Sequence, residues 1–256
     1  MLHKKSLGQH FLRSESALRK IVDAGHLSAT DMVLEVGPGE GVLTKLLLKQ
    51  GGKVVAVEKD DRLIPVLEQT FASEISSGKL ELVHADILDF DLSYKLKAIS
   101  YKLVANIPYY ITGVLIRKFL ESEAQPSTMV LLIQKEVAKR IVAKDGKESI
   151  LSISVKAYGV PRYIDTVKAG AFSPPPKVDS AIIAIEDISK KFFSEVSEEH
   201  FFGVLKKGFA HPRKLLSSNL GIPSSVLRAC DIGEKARPEN LSKENWKLLS
   251  AHLENS

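Results

Sequence analysis

This sequence has a single cysteine, Cys230, and a single tryptophan, Trp246. One cysteine excludes an intramolecular disulfide framework and a metal site built on paired cysteines, and it suits a reducing compartment such as the cytoplasm. No apolar run is long enough to span a bilayer as a helix. The opening Met1-Leu2-His3-Lys4-Lys5-Ser6 is basic but has no apolar core behind it, so it does not read as a secretory signal. A P-loop pattern is missing, which leaves phosphoryl transfer without support. His10 and His84 are isolated, and no cluster of His, Cys and carboxylates has metal-ligand spacing, so no metal is expected.

What is there describes an ordinary globular chain. Of 256 residues, 44% are hydrophobic and 26% charged, enough for one large domain or a main domain with a smaller one. The net charge of +5 permits a polyanionic partner, and its distribution is more telling than its size. Residues 1–20 carry +4, residues 21–186 carry −1 and residues 187–256 carry +2. Lys206-Lys207 and Arg213-Lys214 form local clusters in the last of these.

Strand and helix patterns alternate along the first three quarters of the chain. A helix over 14–25 with Ser14 as its N-cap precedes a strand at 32–36, a Gly-rich turn and a helix over 41–50. Further strands are expected at 53–57, 80–83, 101–105 and 129–133, with helices at 61–72, 111–121, 135–143 and 149–158. This alternation predicts an α/β fold, a mostly parallel Rossmann-like sheet. The β-branched runs at 163–167 and 178–185 have no helical pattern between them, so they are expected to add an antiparallel edge. After residue 187, helical spacing of Phe201-Phe202, Val204-Leu205, Phe209, Trp246 and Leu248-Leu249 predicts a small all-helical domain broken by Pro212, Pro223 and Pro238. The expected division is therefore 1–187 and 188–256.

Four positions after successive strands bear the chemistry. Glu35-Val36-Gly37-Pro38-Gly39-Glu40-Gly41 opens a helix, where glycines let a ligand approach the backbone; a purely structural tight turn uses the same residues. Val42 stands where a dinucleotide fingerprint has its third glycine, which weakens an NAD oxidoreductase reading. Glu58 ends the second strand, where a carboxylate can accept from two ribose hydroxyls, and Asp86 follows the third, where one can accept from an adenine amine. Asn106-Ile107-Pro108-Tyr109 follows the fourth. An amide, a rigid proline turn and an aromatic ring make a receptor for a planar base with an amino group, although the same letters also spell a strand ending in a turn.

Together these positions resemble the ribosomal RNA adenine dimethyltransferases, most closely those acting on the bacterial small-subunit (16S) RNA. The resemblance spans nearly the whole chain. It includes Gly8-Gln9-His10-Phe11-Leu12, Gln134-Lys135-Glu136, Phe172-Ser173-Pro174-Pro175-Pro176-Lys177-Val178-Asp179-Ser180, Pro212-Arg213-Lys214 and Asn219-Leu220. Many members carry Asn where this chain has His10. The resemblance implies S-adenosyl-L-methionine as methyl donor, held by His10, Leu12, Gly37, Glu58, Asp86 and Asn106, with Gln9 and Phe11 nearby. It implies dimethylation of the exocyclic amine of two adjacent adenines in the 3′-terminal hairpin of small-subunit rRNA, with a role in subunit biogenesis. Asn106, Pro108, Tyr109 and Phe172 would form the catalytic set, Tyr109 and Phe172 bracketing the flipped base. The catalytic domain would be 1–187 with its basic arm, and 188–256 would recognise RNA. The expected enzyme is a cytoplasmic monomer that binds rRNA in an assembling small subunit and no membrane. Competing readings are a large-subunit (23S) methyltransferase conferring macrolide resistance and a non-catalytic RNA-binding assembly factor.

Overall fold

The computed structural model describes residues 9–91, 100–143 and 146–254. The central strand runs are apolar on both faces, the pattern of strands covered by helices on each side, and with more polar edge strands they form one seven-stranded sheet. Its strands are β2 (Met32–Val36), β3 (Lys53–Glu58), β4 (Leu80–His84), β5 (Tyr101–Asn106), β6 (Thr128–Gln134), β7 (Val160–Val167) and β9 (Ser180–Glu186). The order is β4-β3-β2-β5-β6-β9-β7. The pairs β2/β3, β2/β5, β3/β4 and β5/β6 are parallel, and β9 joins β6 antiparallel. The last two strands thus form the expected addition at one edge. Between them, β8 (Phe172–Ser173) leaves the sheet and pairs antiparallel with β1 (Phe11–Leu12), a ribbon with no sequence periodicity to announce it.

The chain order reverses between β2 and β5, the switch point where open α/β sheets bind ligands at their carboxyl ends. Register aligns the exits. Val36 lies opposite Val57 and Ala105, Glu58 opposite His84, and Asn106 opposite Leu132. Gly37, Glu58, Asp86 and Asn106 therefore share one edge.

Helices appear where the periodicity placed them, with one revision. Helix Glu15–Ala24 begins as expected, with the Ser14 hydroxyl accepting from the Ala17 N–H. The segment 61–72 is not one helix. It starts at Ile64 with Pro65 in its first turn, breaks at Phe71 and resumes as Ala72–Ser76. Asp60 explains the late start: its carboxylate accepts from the Arg62 backbone N–H and from the Arg62 guanidinium, holding a turn there.

The chain divides into two compact units. The α/β unit comprises the described residues up to Ala138 and Arg162–Ile188, and the helical unit comprises Lys139–Pro161 and the residues from Ser189 onward. The second break falls one residue from the expected boundary. Helix Ile150–Lys156, however, groups with the helical unit, because Ile153 and Ala157 pack with Phe201, Leu205, Trp246 and Leu249. The α/β core is formed by Val33, Val54, Val104 and Val130 of the sheet with Ile21 and Leu47 of the covering helices. Among the described residues, no helix is long and apolar enough to cross a membrane.

Candidate active site

One cavity lies over the carboxyl ends of β2 to β5. It is lined by every candidate catalytic and cofactor-binding residue read from the sequence: His10, Leu12, Gly37, Glu58, Asp86, Asn106, Pro108, Tyr109 and Phe172. Val57, Ile87 and Ile107 supply apolar wall.

The glycine turn contributes to the cavity unevenly. Gly37, Gly39 and Gly41 all have positive φ, at 70°, 61° and 79°. An added Cβ at Gly37 would meet only the Asn106 carbonyl oxygen, at 3.9 Å, so this position leaves room at the switch point. At Gly41 it would meet the Phe71 ring at 2.5 Å, which makes that glycine a packing requirement.

Glu58 is 6% exposed. One carboxylate oxygen accepts from the Gly39 N–H at 3.1 Å and the other from the Asp60 N–H at 2.7 Å. Burial pushes its carboxyl up, and the backbone donors oppose that by favouring the charged form. The carboxylate keeps acceptor capacity for a diol. Asp86 accepts from the Leu88 N–H at 2.9 Å and pairs with Lys59, whose ammonium holds the carboxyl below the usual range. Asn106 is half-buried at the end of β5, and its side-chain amide makes no hydrogen bond among the described residues. The turn after it closes with the Ile111 N–H donating to the Pro108 carbonyl at 3.2 Å.

The N-terminal segment forms a wall. The β1/β8 ribbon sets Leu12 opposite Phe172 and Phe11 opposite Ser173. The His10 Nδ1 lies 2.8 Å from the Pro174 carbonyl oxygen, so Nδ1 carries the proton in that contact. Gln9 donates to Asp60 at 2.7 Å, and Arg13 pairs with Glu40 at 2.6 Å. The His10 and Tyr109 rings are 6.2 Å apart and within 24° of parallel. Phe172 is 5% exposed and belongs to the α/β core while still edging the cavity. The Tyr109 hydroxyl lies 2.7 Å from Ser180 Oγ, and burial raises its pKa.

S-adenosyl-L-methionine, the donor the resemblance implies, fits this set of groups. Two carboxylates at adjacent strand ends suit a ribose diol and an adenine amine, and the uncommitted Asn106 amide and two aromatic rings stand beside them. Among the described residues, no group of three or more His, Cys, Asp or Glu could hold a metal ion. Sequence reasoning gave no role to Lys59, Asp60 or Ser180. The first two follow Glu58 directly, and charge at a strand exit already marked as a site was the available signal; Ser180 stood only as the end of the resembling segment from Phe172.

The helical unit carries a second feature. From His200 through Cys230 there is no acidic residue. Residues 210–215, which include Arg213 and Lys214, are all exposed. Lys206, Lys207, Arg213 and Lys214 have no ion pair among the described residues. Asn219 Nδ2 donates to the Gly208 carbonyl at 2.7 Å and to that of His211 at 3.0 Å, tying both sides of the turn together.

Known proteins resemble this chain along most of its length. The chain is 46% identical over 255 residues to the ribosomal RNA small subunit methyltransferase A of Dehalococcoides mccartyi, covering 96% of this chain and 87% of the relative. It is 37% identical to the protein of the same name from Fusobacterium nucleatum, with 95% of each covered. Among solved structures, a dimethyladenosine transferase from Plasmodium falciparum superposes with a TM-score of 0.82 at 27% identity, covering 94% of this chain and 96% of that one. The profile of the ribosomal RNA adenine dimethylases matches residues 1–255, and the chain belongs to that family.

Proposed function

We propose that this enzyme transfers methyl groups from S-adenosyl-L-methionine to the exocyclic amine of two adjacent adenines in the 3′-terminal hairpin of small-subunit rRNA, giving N6,N6-dimethyladenine. The observation that bears most weight is the convergence of Glu58, Asp86, Asn106 and Tyr109 on one cavity, in a chain whose relatives are named as small-subunit rRNA methyltransferases. The cofactor supplies an electrophilic methyl group. Glu58 binds and orients the ribose, and Asp86 the adenine amine. His10, Leu12 and Gly37 complete the walls.

The target amine is a poor nucleophile because its lone pair is delocalised into the ring. Its N–H bonds donate to the Asn106 carbonyl oxygen and to a backbone carbonyl of the Ile107–Pro108 turn, which favours a pyramidal nitrogen and aims its lone pair. Orientation and electrostatics supply the acceleration. Tyr109 and Phe172 bracket the base, which has to leave its stack to enter. The alkylated ammonium is acidic and loses its proton to water after transfer, so no strong base is required beforehand.

The basic turn at 210–215 and the N-terminal arm contact RNA phosphates, in a monomer that acts in the cytoplasm on an assembling small subunit. Labelled methyl transfer to undermethylated small subunits, followed by mapping of modified adenines, tests the reading. Two adjacent dimethyladenines near the 3′ end are expected. Methylation of large-subunit RNA alone, or none, refutes it.

A further inference from the structure

Tyr109 is held at both ends. Its backbone sits in the turn that ends β5, and its hydroxyl reaches Ser180 at the start of β9. Between those strands lies β6, with Asn106 opposite Leu132 on one side and Gln134 opposite Ser180 on the other. The ring therefore bridges two strands across the carboxyl end of a third. Ser180 is fully buried, and the Tyr109 hydroxyl is its only side-chain hydrogen-bond partner among the described residues.

The Ser180 side of the bridge is fixed. Asp179 accepts from the Ala169 N–H at 3.2 Å and from Lys168 at 3.0 Å, and its carbonyl accepts from the Lys135 N–H at 3.0 Å. The segment that ends at Ser180 also carries Phe172, anchored through the β1/β8 ribbon. One hydrogen bond thus joins the element bearing one aromatic wall to the element bearing the other.

We infer that Ser180 is a positioning residue for methyl transfer: its hydroxyl anchors the far end of the Tyr109 ring, and with it the place of the base between Tyr109 and Phe172. This inference rests on the role given to Tyr109 above. A phenylalanine ring stacks as well as tyrosine but cannot be tethered. Loss of the tether on either side should have the same effect.

The test is a double-mutant cycle on the full-length enzyme with undermethylated small subunits. Turnover is measured for Tyr109→Phe, Ser180→Ala and the double variant, with Tyr109→Ala alongside. Binding of S-adenosyl-L-homocysteine and thermal unfolding are followed for each. Each single variant should lower kcat about five- to ten-fold, the value of one partly buried hydrogen bond. The double variant should fall no further, and affinity for the nucleoside should be unchanged. Multiplicative losses in the double variant overturn the inference, as does wild-type kcat in Tyr109→Phe, a variant that leaves Ser180 in place should Ser180→Ala fail to fold. Full turnover in Tyr109→Ala instead overturns the role of Tyr109 itself. Loss in Tyr109→Ala with wild-type kcat in Ser180→Ala overturns only the tether.

Discussion

Glu35 offers a quantitative test of the α/β unit. It sits in β2 two residues before Gly37, is 1% exposed, and neither carboxyl oxygen has a hydrogen-bond partner among the described residues. The Thr44 hydroxyl nearby, also without a geometric hydrogen bond among the described residues, opposes the effect of burial. Burial, reinforced by the neighbouring charge of Glu58, pushes the carboxyl up to about 8 from an ordinary 4.5. The folded state then holds a proton that the unfolded chain releases, so stability falls as pH rises through the window from 4.5 to 8. At about 1.4 kcal/mol per pH unit, the loss reaches roughly 3 kcal/mol by neutral pH. Glu35→Gln keeps the shape and removes the titration. Urea unfolding followed by far-UV circular dichroism should give similar stabilities for both proteins near pH 5. The variant should be roughly 3 kcal/mol more stable than wild type near pH 7. If the two stability curves stay parallel across that range, Glu35 does not carry a buried proton and the reasoning fails.

Three further outcomes follow from the geometry. Asn106→Ala should reduce methyl transfer at least 100-fold, a typical value for a lost preorganised polar contact, while weakening cofactor affinity only partly; wild-type turnover would remove Asn106 from the mechanism. Gly41→Ala places a Cβ 2.5 Å from the Phe71 ring at a φ of 79°, and should cost roughly 2 kcal/mol or more in chemical denaturation. Asn219→Ala releases both sides of the basic turn, and should weaken RNA binding several-fold and flatten its salt dependence, with nucleoside affinity unchanged in calorimetry.

The sheet was legible because each parallel strand is a compact, largely apolar run between helical patterns, and because a carboxylate or amide at a strand exit is conspicuous after apolar residues. Glu58, Asp86 and Asn106 were found on that basis, and the structure puts them along one cavity. What escaped depends on partners far away in sequence. The β1/β8 ribbon has two residues per strand, too few for any period, and joins Leu12 to Phe172. Gln9 meets Asp60 51 positions away, and Tyr109 meets Ser180 71 away. Helix Ile150–Lys156 showed its apolar face plainly, but nothing local indicated that the face belongs with Phe201 and Trp246 rather than with the sheet. The break at Phe71 likewise comes from packing, since its ring fills the space beside Gly41.

The ribbon between Phe11–Leu12 and Phe172–Ser173 has a consequence for how the protein is made. The arm leaves the ribosome before its partner strand, which is synthesised about 160 residues later, roughly 8–30 s at ordinary elongation rates. Throughout that interval Phe11 and Leu12 lack their partner strand and His10 lacks the Pro174 carbonyl. A nascent chain with the parallel strands β2 to β6 in place still lacks Phe172, and with it one wall of the cavity.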